Sequence, residues 1–192
     1  MKKIIIFFTL VTLLITSCDE GGKASSILPK SVGSTNTIMV VMKVNLWLGK
    51  AGDEIRTVFG EHQVGLPQPE TLLSVSQVDP AGFKTFMRNG KAILIMQKGE
   101  KENISVIKNK YAAPQIIVIA TAKDEAGFIN VIRSRGKEII KLFKDEDIKF
   151  SQSVFKRERL DETKFKTVQN LNVSLDIPNK YRLVDDLSLI HI

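Results

Sequence analysis

At residue 124 the chain changes its hydrophobic period, so neither an all-helical nor an all-strand fold accommodates it. Downstream, Ile129, Ile132, Gly136, Ile139, Phe143, Phe150 and Val154 recur at spacings of three, four or seven. That is the apolar stripe of one long amphipathic helix, with Thr121 as its expected N-cap. The stripe skips a turn at Glu146-Asp147, where a bend or break is expected. Upstream, the apolar residues come in compact runs. Ile38 to Val44 is β-branched and continuous, as in a strand buried on both faces. Ala92 to Gln97 and Gln115 to Ala122 read the same way, the second as a central strand. Thr71 to Val78 suits another strand, and Ile104 to Lys108 a shorter one at an edge.

Two shorter helices are predicted between these runs. Trp47, Ala51, Ile55 and Phe59 recur every four residues, so residues 46–59 read as a helix capped by Asn45 and closed by Gly60. Gly52 weakens its middle. Asp79-Pro80 pairs a capping residue with proline at the first helical position. Phe83, Phe86 and Met87 then share a face, and Asn89-Gly90 ends that helix. Late in the chain Val173, Leu175 and Ile177 alternate with polar residues up to Pro178, as in a half-buried strand. Strands occurring singly and in groups predict an α+β fold, a mostly antiparallel sheet of four to five strands with one long and two short helices packed on it.

The N-terminus carries an address. Lys2 and Lys3 precede a run from Ile4 to Ile15 that only Thr9 and Thr12 interrupt. Twelve residues make a helix of about 18 Å, short of a hydrocarbon core of roughly 30 Å, so the run suits a secretory signal. It ends in Ile15-Thr16-Ser17-Cys18, which resembles the lipobox of bacterial lipoproteins. The resemblance implies acylation of the Cys18 thiol and cleavage before it. Cys18 is the only cysteine of the chain, so an intramolecular disulfide is excluded and acylation accounts for the thiol. The expected partner is thus a membrane, through acyl chains on Cys18, at a bacterial cell envelope. The outer membrane is expected rather than the inner, with the leaflet left open. Asp19-Glu20 follows directly, as either a sorting signal or an ordinary linker start.

The expected organisation is a signal peptide over 1–17, a lipidated N-terminus and flexible linker over 18–35 and an α+β domain over 36–168. A second, truncated α+β portion begins at 169–186, and 187–192 form a doubtful tail. Cleavage removes Lys2 and Lys3, leaving 26 of 28 basic side chains against 21 acidic ones. These charges are interspersed and read as solvated faces. Nucleic acid as a partner would want a basic stripe with interleaved aromatics, so none is expected.

Taken together, several segments resemble a Bacteroidota lipoprotein family of unknown function, domain of unknown function 4837. They are the lipobox, Leu28-Pro29-Lys30-Ser31-Val32-Gly33, Trp47 with Gly52-Asp53 and Arg56, Gly65-Leu66-Pro67-Gln68, Arg88-Asn89, and Ile177-Pro178-Asn179-Lys180-Tyr181. The resemblance implies an envelope location, an α+β fold and no assigned activity. Members are longer, which implies a C-terminally truncated chain here.

Candidate chemistry is sparse. His62 and His191 are the two histidines, too few with Cys18 committed to lipid for a zinc site. No Gly-x-Ser-x-Gly elbow and no phosphate-loop spacing occurs. Asp53, Glu54, Glu70 and Asp145 to Asp147 are the acids from which a carboxylate pair would be drawn, and each reads more simply as a solvated or capping acid. No catalytic residue, metal or cofactor is expected. Trp47, Asp53 and Arg56 lie within three turns of one predicted helix. They form either a core tryptophan beside a surface ion pair, the simpler reading, or a recognition surface bordered by Pro67 and Gln68. The expected function is a non-catalytic binding or assembly role at the membrane, with an envelope protein or glycan as partner. The rival is an envelope-polymer hydrolase whose site a missing C-terminal portion completes; a structural spacer is third.

Overall fold

A computed structural model describes residues 28–182. The expected signal peptide, Cys18, Asp19-Glu20 and the tail from 187 lie outside the described residues. Five strands form one sheet: β1 Thr37–Val41, β2 Ser74–Val78, β3 Ala92–Lys98, β4 Asn103–Lys108 and β5 Ile116–Ala122. Their spatial order is β2-β1-β3-β5-β4. Helices α1 Val44–Trp47 and α2 Lys50–Phe59 follow β1, the long α3 Glu125–Arg157 follows β5, and α4 is Lys166–Leu171.

The fold is α+β, but the sheet is not mostly antiparallel. β1 pairs in parallel with β2 and with β3, and β3 in parallel with β5; only β4 runs antiparallel, against β5. The reason lies in the runs themselves. Ile38, Val40, Leu94, Val118 and Ala120 face one core, while Val41, Ile93 and Ile117 face another. Strands with apolar side chains on both faces are those of parallel sheets, covered from both sides. Alternation, the antiparallel signature, is confined to the edges, where β2 and β4 are half exposed.

Helices α2 and α3 cover one face, Ile55, Phe59, Phe128, Ile132, Ile139 and Phe143 packing onto it. The connection from β2 to β3 crosses the other face and lays Phe83 on Val41, Ile93 and Ile117. It is not the predicted α-helix. Asp79 does cap, accepting from the Ala81 amide at 2.9 Å. However, Thr85 sits in the left-handed region at φ 40°, and only a 3₁₀ turn over Thr85–Asn89 follows. Phe83 is buried while Phe86 is 63% exposed, so the two do not share a face.

The helix predicted over 46–59 is broken in two at Leu48-Gly49. A β-carbon at Gly52 would overlap the Trp47 carbonyl oxygen, so the turn between α1 and α2 demands a glycine there. Asn45 lies inside α1 and does not cap it. The Val44 amide instead donates to Asp79 Oδ2 at 3.3 Å, and Gly60 closes α2 as expected. Gly49 brings no capping side chain to α2, and Glu125 of α3 supplies one by accepting from the Ala51 amide at 3.1 Å.

Asp124, not Thr121, caps α3, accepting from the Gly127 amide at 2.9 Å; Thr121 still belongs to β5. The helix then runs unbroken through Glu146-Asp147. The skipped turn of the stripe is filled by a buried carboxylate rather than by a bend. Residues 173–177 form no strand. Val173 and Leu175 are 44% and 39% exposed, and among the described residues the segment has no strand neighbour to cover an apolar face. It is tied back by Leu160 N to Ile177 O at 2.7 Å and by Leu175 N to Glu162 at 3.2 Å. The stretch expected to be a linker is held from Pro29 on, with bridges Lys30 to Ala113 and Val32 to Gly90.

Candidate functional site

The two edges of the sheet are built differently. At the amino edge, the residue preceding each of the three central parallel strands is clamped. Before β1, the Asn36 amide donates to Asp147 Oδ2 at 2.8 Å. Before β3, Lys91 Nζ meets Asp147 Oδ1 at 2.6 Å, with side chains 10% and 7% exposed. Before β5, the Gln115 amide group donates to the Arg88 and Gly90 carbonyls, both at 2.6 Å, and its oxygen accepts from the Tyr111 amide at 2.9 Å. No buried polar side-chain atom among the described residues lacks a partner.

At the carboxyl edge there is a cleft of about 330 Å³. Every parallel strand contributes to it. Lys43, Asn45 and Leu46 come after β1, Pro80 after β2, Met96 and Lys98 from the end of β3, and Lys123 to Glu125 with Phe128 after β5. The chain leaves β1 toward β2 on one side, and leaves β3 toward β4, beyond β5, on the other. The crevice therefore opens where the strand order reverses, the position at which open α/β sheets receive ligands. Its apolar floor, Leu46, Met96 and Phe128, is continuous with the helix-side core. Its rim is basic. Lys43, Lys98 and Lys123 are exposed, and among the described residues none of them is in an ion pair. The two acids at the rim are already engaged as helix caps, Asp124 at Gly127 and Glu125 at Ala51.

Trp47, Asp53 and Arg56 do come together. The Arg56 guanidinium lies 4.5 Å from the Trp47 ring centroid, donates to Asp53 Oδ1 at 2.7 Å and to the Trp47 carbonyl at 3.1 Å. Trp47 is half-buried and packs against the core. The guanidinium thus locks α1 onto α2 through these contacts. Pro67 and Gln68 are exposed in the loop that follows α2, the helix whose last turn carries Arg56.

Five of the acids that could have formed a catalytic pair are ion-paired: Asp53 with Arg56, Glu54 with Arg133, Asp145 with Lys141, Glu146 with Lys108 and Lys149, and Asp147 with Lys91. Glu70 accepts from the Gln63 amide through its backbone. Burial pushes the Glu146 carboxyl up, but hydrogen bonds and charge from Lys108 and Lys149 hold it below the ordinary range. Glu138 is lowered by the hydrogen bond from Arg135. Among the described residues no three His, Cys, Asp or Glu side chains cluster to hold a metal, and no helix is long and apolar enough to cross a membrane.

Sequence reasoning missed the three cleft lysines, which look like interspersed surface charge. The signal was their place: each stands at the carboxyl end of an apolar run, IMVVM-Lys43, AILIMQ-Lys98 and IIVIATA-Lys123.

No curated protein and no solved structure matches the chain. A family of unknown function does, over residues 31–156, and it is a different one from the family 4837 that the sequence resembles. The matched span holds the whole sheet, the cleft lysines, Trp47, Asp53, Arg56, Pro67 and Gln68, and leaves Cys18 outside. Since it covers well over half of the sequence, the chain belongs to this family, the Domain of unknown function (DUF8532).

Proposed function

We propose that this chain is a non-catalytic binding module held at a bacterial envelope membrane by acyl chains on Cys18. The observation that carries the binding role is the cleft at the reversal of strand order, open, apolar-floored and rimmed by lysines without ion-pair partners among the described residues. A binding rather than a hydrolytic role is supported by the acids, since Asp53, Glu54, Asp145, Glu146 and Asp147 are neutralised by a basic neighbour. The tether rests on Ile15-Thr16-Ser17-Cys18 and on there being no second cysteine. Two or three acyl chains make such an anchor stable.

Radiolabelled palmitate should enter the wild-type chain during expression in a lipoprotein-processing bacterium, and Cys18→Ala should abolish the label. Label persisting in that variant refutes the tether. Incubation with envelope polymers, peptidoglycan first, should release no soluble fragments; release that depends on any of the paired acids would make the chain a hydrolase.

A further inference from the structure

We infer that the cleft at the carboxyl edge takes a small phosphate-bearing molecule with an apolar body, an inference that rests on the binding role proposed above. The charge comes from three separate strands: Lys43 follows β1, Lys98 ends β3 and Lys123 follows β5. Neighbouring strands lie about 4.8 Å apart, so side chains from three adjacent strand ends can surround one tetrahedral anion. No arginine lines the cleft. An anion there is met by compact ammonium charges alone, which bind phosphate as point charges. The rim acids Asp124 and Glu125 are turned to helix amides but keep their charge, so three lysines against two acids leave the cleft a formal balance of +1.

The rest of the ligand follows from the floor. Leu46, Met96 and Phe128 present apolar surface beneath the lysines, so a bare anion leaves that surface wet. About 330 Å³ is at the lower end of small-molecule sites, which fits an aryl or short acyl body. A phosphate of this kind can come from a soluble phosphomonoester or from a lipid headgroup.

The test is calorimetric titration of the full chain in neutral detergent with two probes, 1-naphthyl phosphate and dihexanoyl phosphatidic acid, with 1-naphthol as the uncharged control. Saturable binding of at least one phosphate probe, and none of naphthol, is expected. The Lys43→Gln, Lys98→Gln, Lys123→Gln triple variant should lose at least about tenfold in affinity, on the scale of one charge-assisted hydrogen bond or more. Its melting temperature should stay unchanged, since the three side chains are exposed. A matched triple, Lys84→Gln, Lys137→Gln, Lys156→Gln, removes equal charge elsewhere and should bind as the wild type does. Tighter binding of naphthyl phosphate identifies the soluble source, and tighter binding of the phosphatidic acid the lipid one. Failure of both probes to saturate at about 1 mM, a regime of about 4 kcal/mol, overturns the inference. So does equal binding by the wild type and the cleft triple, or an equal loss in the matched triple. The readings fail separately: unlabelled Cys18 sinks the tether alone, and naphthol released from the bound ester sinks the non-catalytic role while keeping the site.

Discussion

Replacing Asp147 with alanine removes one half of a buried ion pair and leaves the other half in place. Lys91 Nζ is 2.6 Å from Asp147 Oδ1, and the two side chains are 10% and 7% exposed. After the substitution the ammonium loses its carboxylate partner and keeps the Phe150 ring, its centroid 5.6 Å away. Stranding one member of a buried pair costs about 3–5 kcal/mol. The Asn36 amide also loses its acceptor at 2.8 Å, which adds roughly 1 kcal/mol or more. Against a total of about 5–15 kcal/mol for a domain, Asp147→Ala should abolish between a third and most of the stability. Urea unfolding followed by circular dichroism measures it, as a lower midpoint at unchanged slope. Lys91→Met with Asp147→Leu should recover most of the loss, because an apolar replacement of a buried pair is about neutral or better. A loss below about 1 kcal/mol in Asp147→Ala, or a double variant as unstable as the single, refutes the assignment of a desolvated pair.

Three further substitutions read the same framework. Gln115→Ala strips partners from the Arg88 and Gly90 carbonyls and the Tyr111 amide, and should cost about 1–3 kcal/mol by urea unfolding. Gly136→Ala places a β-carbon 2.5 Å from Val58 Cγ1; overpacking of about 1–3 kcal/mol outweighs the roughly 1 kcal/mol gained in helix propensity, so the variant should be less stable. In a Val58→Ala background the sign should reverse, a coupling that a double-mutant cycle measures. Glu146 is held below its ordinary value of 4.5 despite partial burial, by Lys108 and Lys149. A depressed carboxylate stabilises the fold fully above its unfolded pKa, and that contribution disappears as pH falls through the folded one. The difference in melting temperature between wild type and Glu146→Gln should therefore be constant above about pH 5 and shrink below about pH 4.5; a constant difference down to about pH 3 refutes the pairing.

Local pattern was enough to place the strands at 37–41, 92–98 and 116–122 and the long helix, because each is a dense apolar signal that packing did not override. Strand direction was not read correctly, although the runs around Val40, Leu94 and Val118 carried it in being apolar on both faces. The break at Glu146-Asp147 failed for a different reason. A skipped turn in a stripe shows that a position is not apolar, and cannot show that a carboxylate there is buried against a lysine 56 residues earlier in the chain. Val173 to Ile177 alternates without becoming a strand, since alternation needs a partner strand and a core beneath it. The Trp47, Asp53 and Arg56 contact followed from helical spacing, even though the helix is broken at Leu48-Gly49. The cleft was invisible because its lysines are 55 and 25 residues apart in sequence and meet only through the strand order.

That order also separates what holds the fold from what is left free to act. At the amino edge Asn36, Lys91 and Gln115, each one residue before a central strand, are each engaged by a protein partner. At the carboxyl edge Lys43, Lys98 and Lys123, at the far ends of the same three strands, have no ion pair among the described residues. The strands are five to seven residues long, about 17–23 Å, well beyond a Debye length of about 8 Å at physiological salt. Charge changes at one edge are accordingly felt only weakly at the other, through distance and because the cleft lysines are exposed to solvent. Asp147→Ala, measured where it is still folded, should therefore bind 1-naphthyl phosphate within about twofold of wild type, a difference near 0.4 kcal/mol, while the cleft lysine triple should melt like the wild type. If the destabilised variant lost affinity in proportion to its lost stability, the two edges would be one cooperative unit, and the division of labour between them would have to be given up.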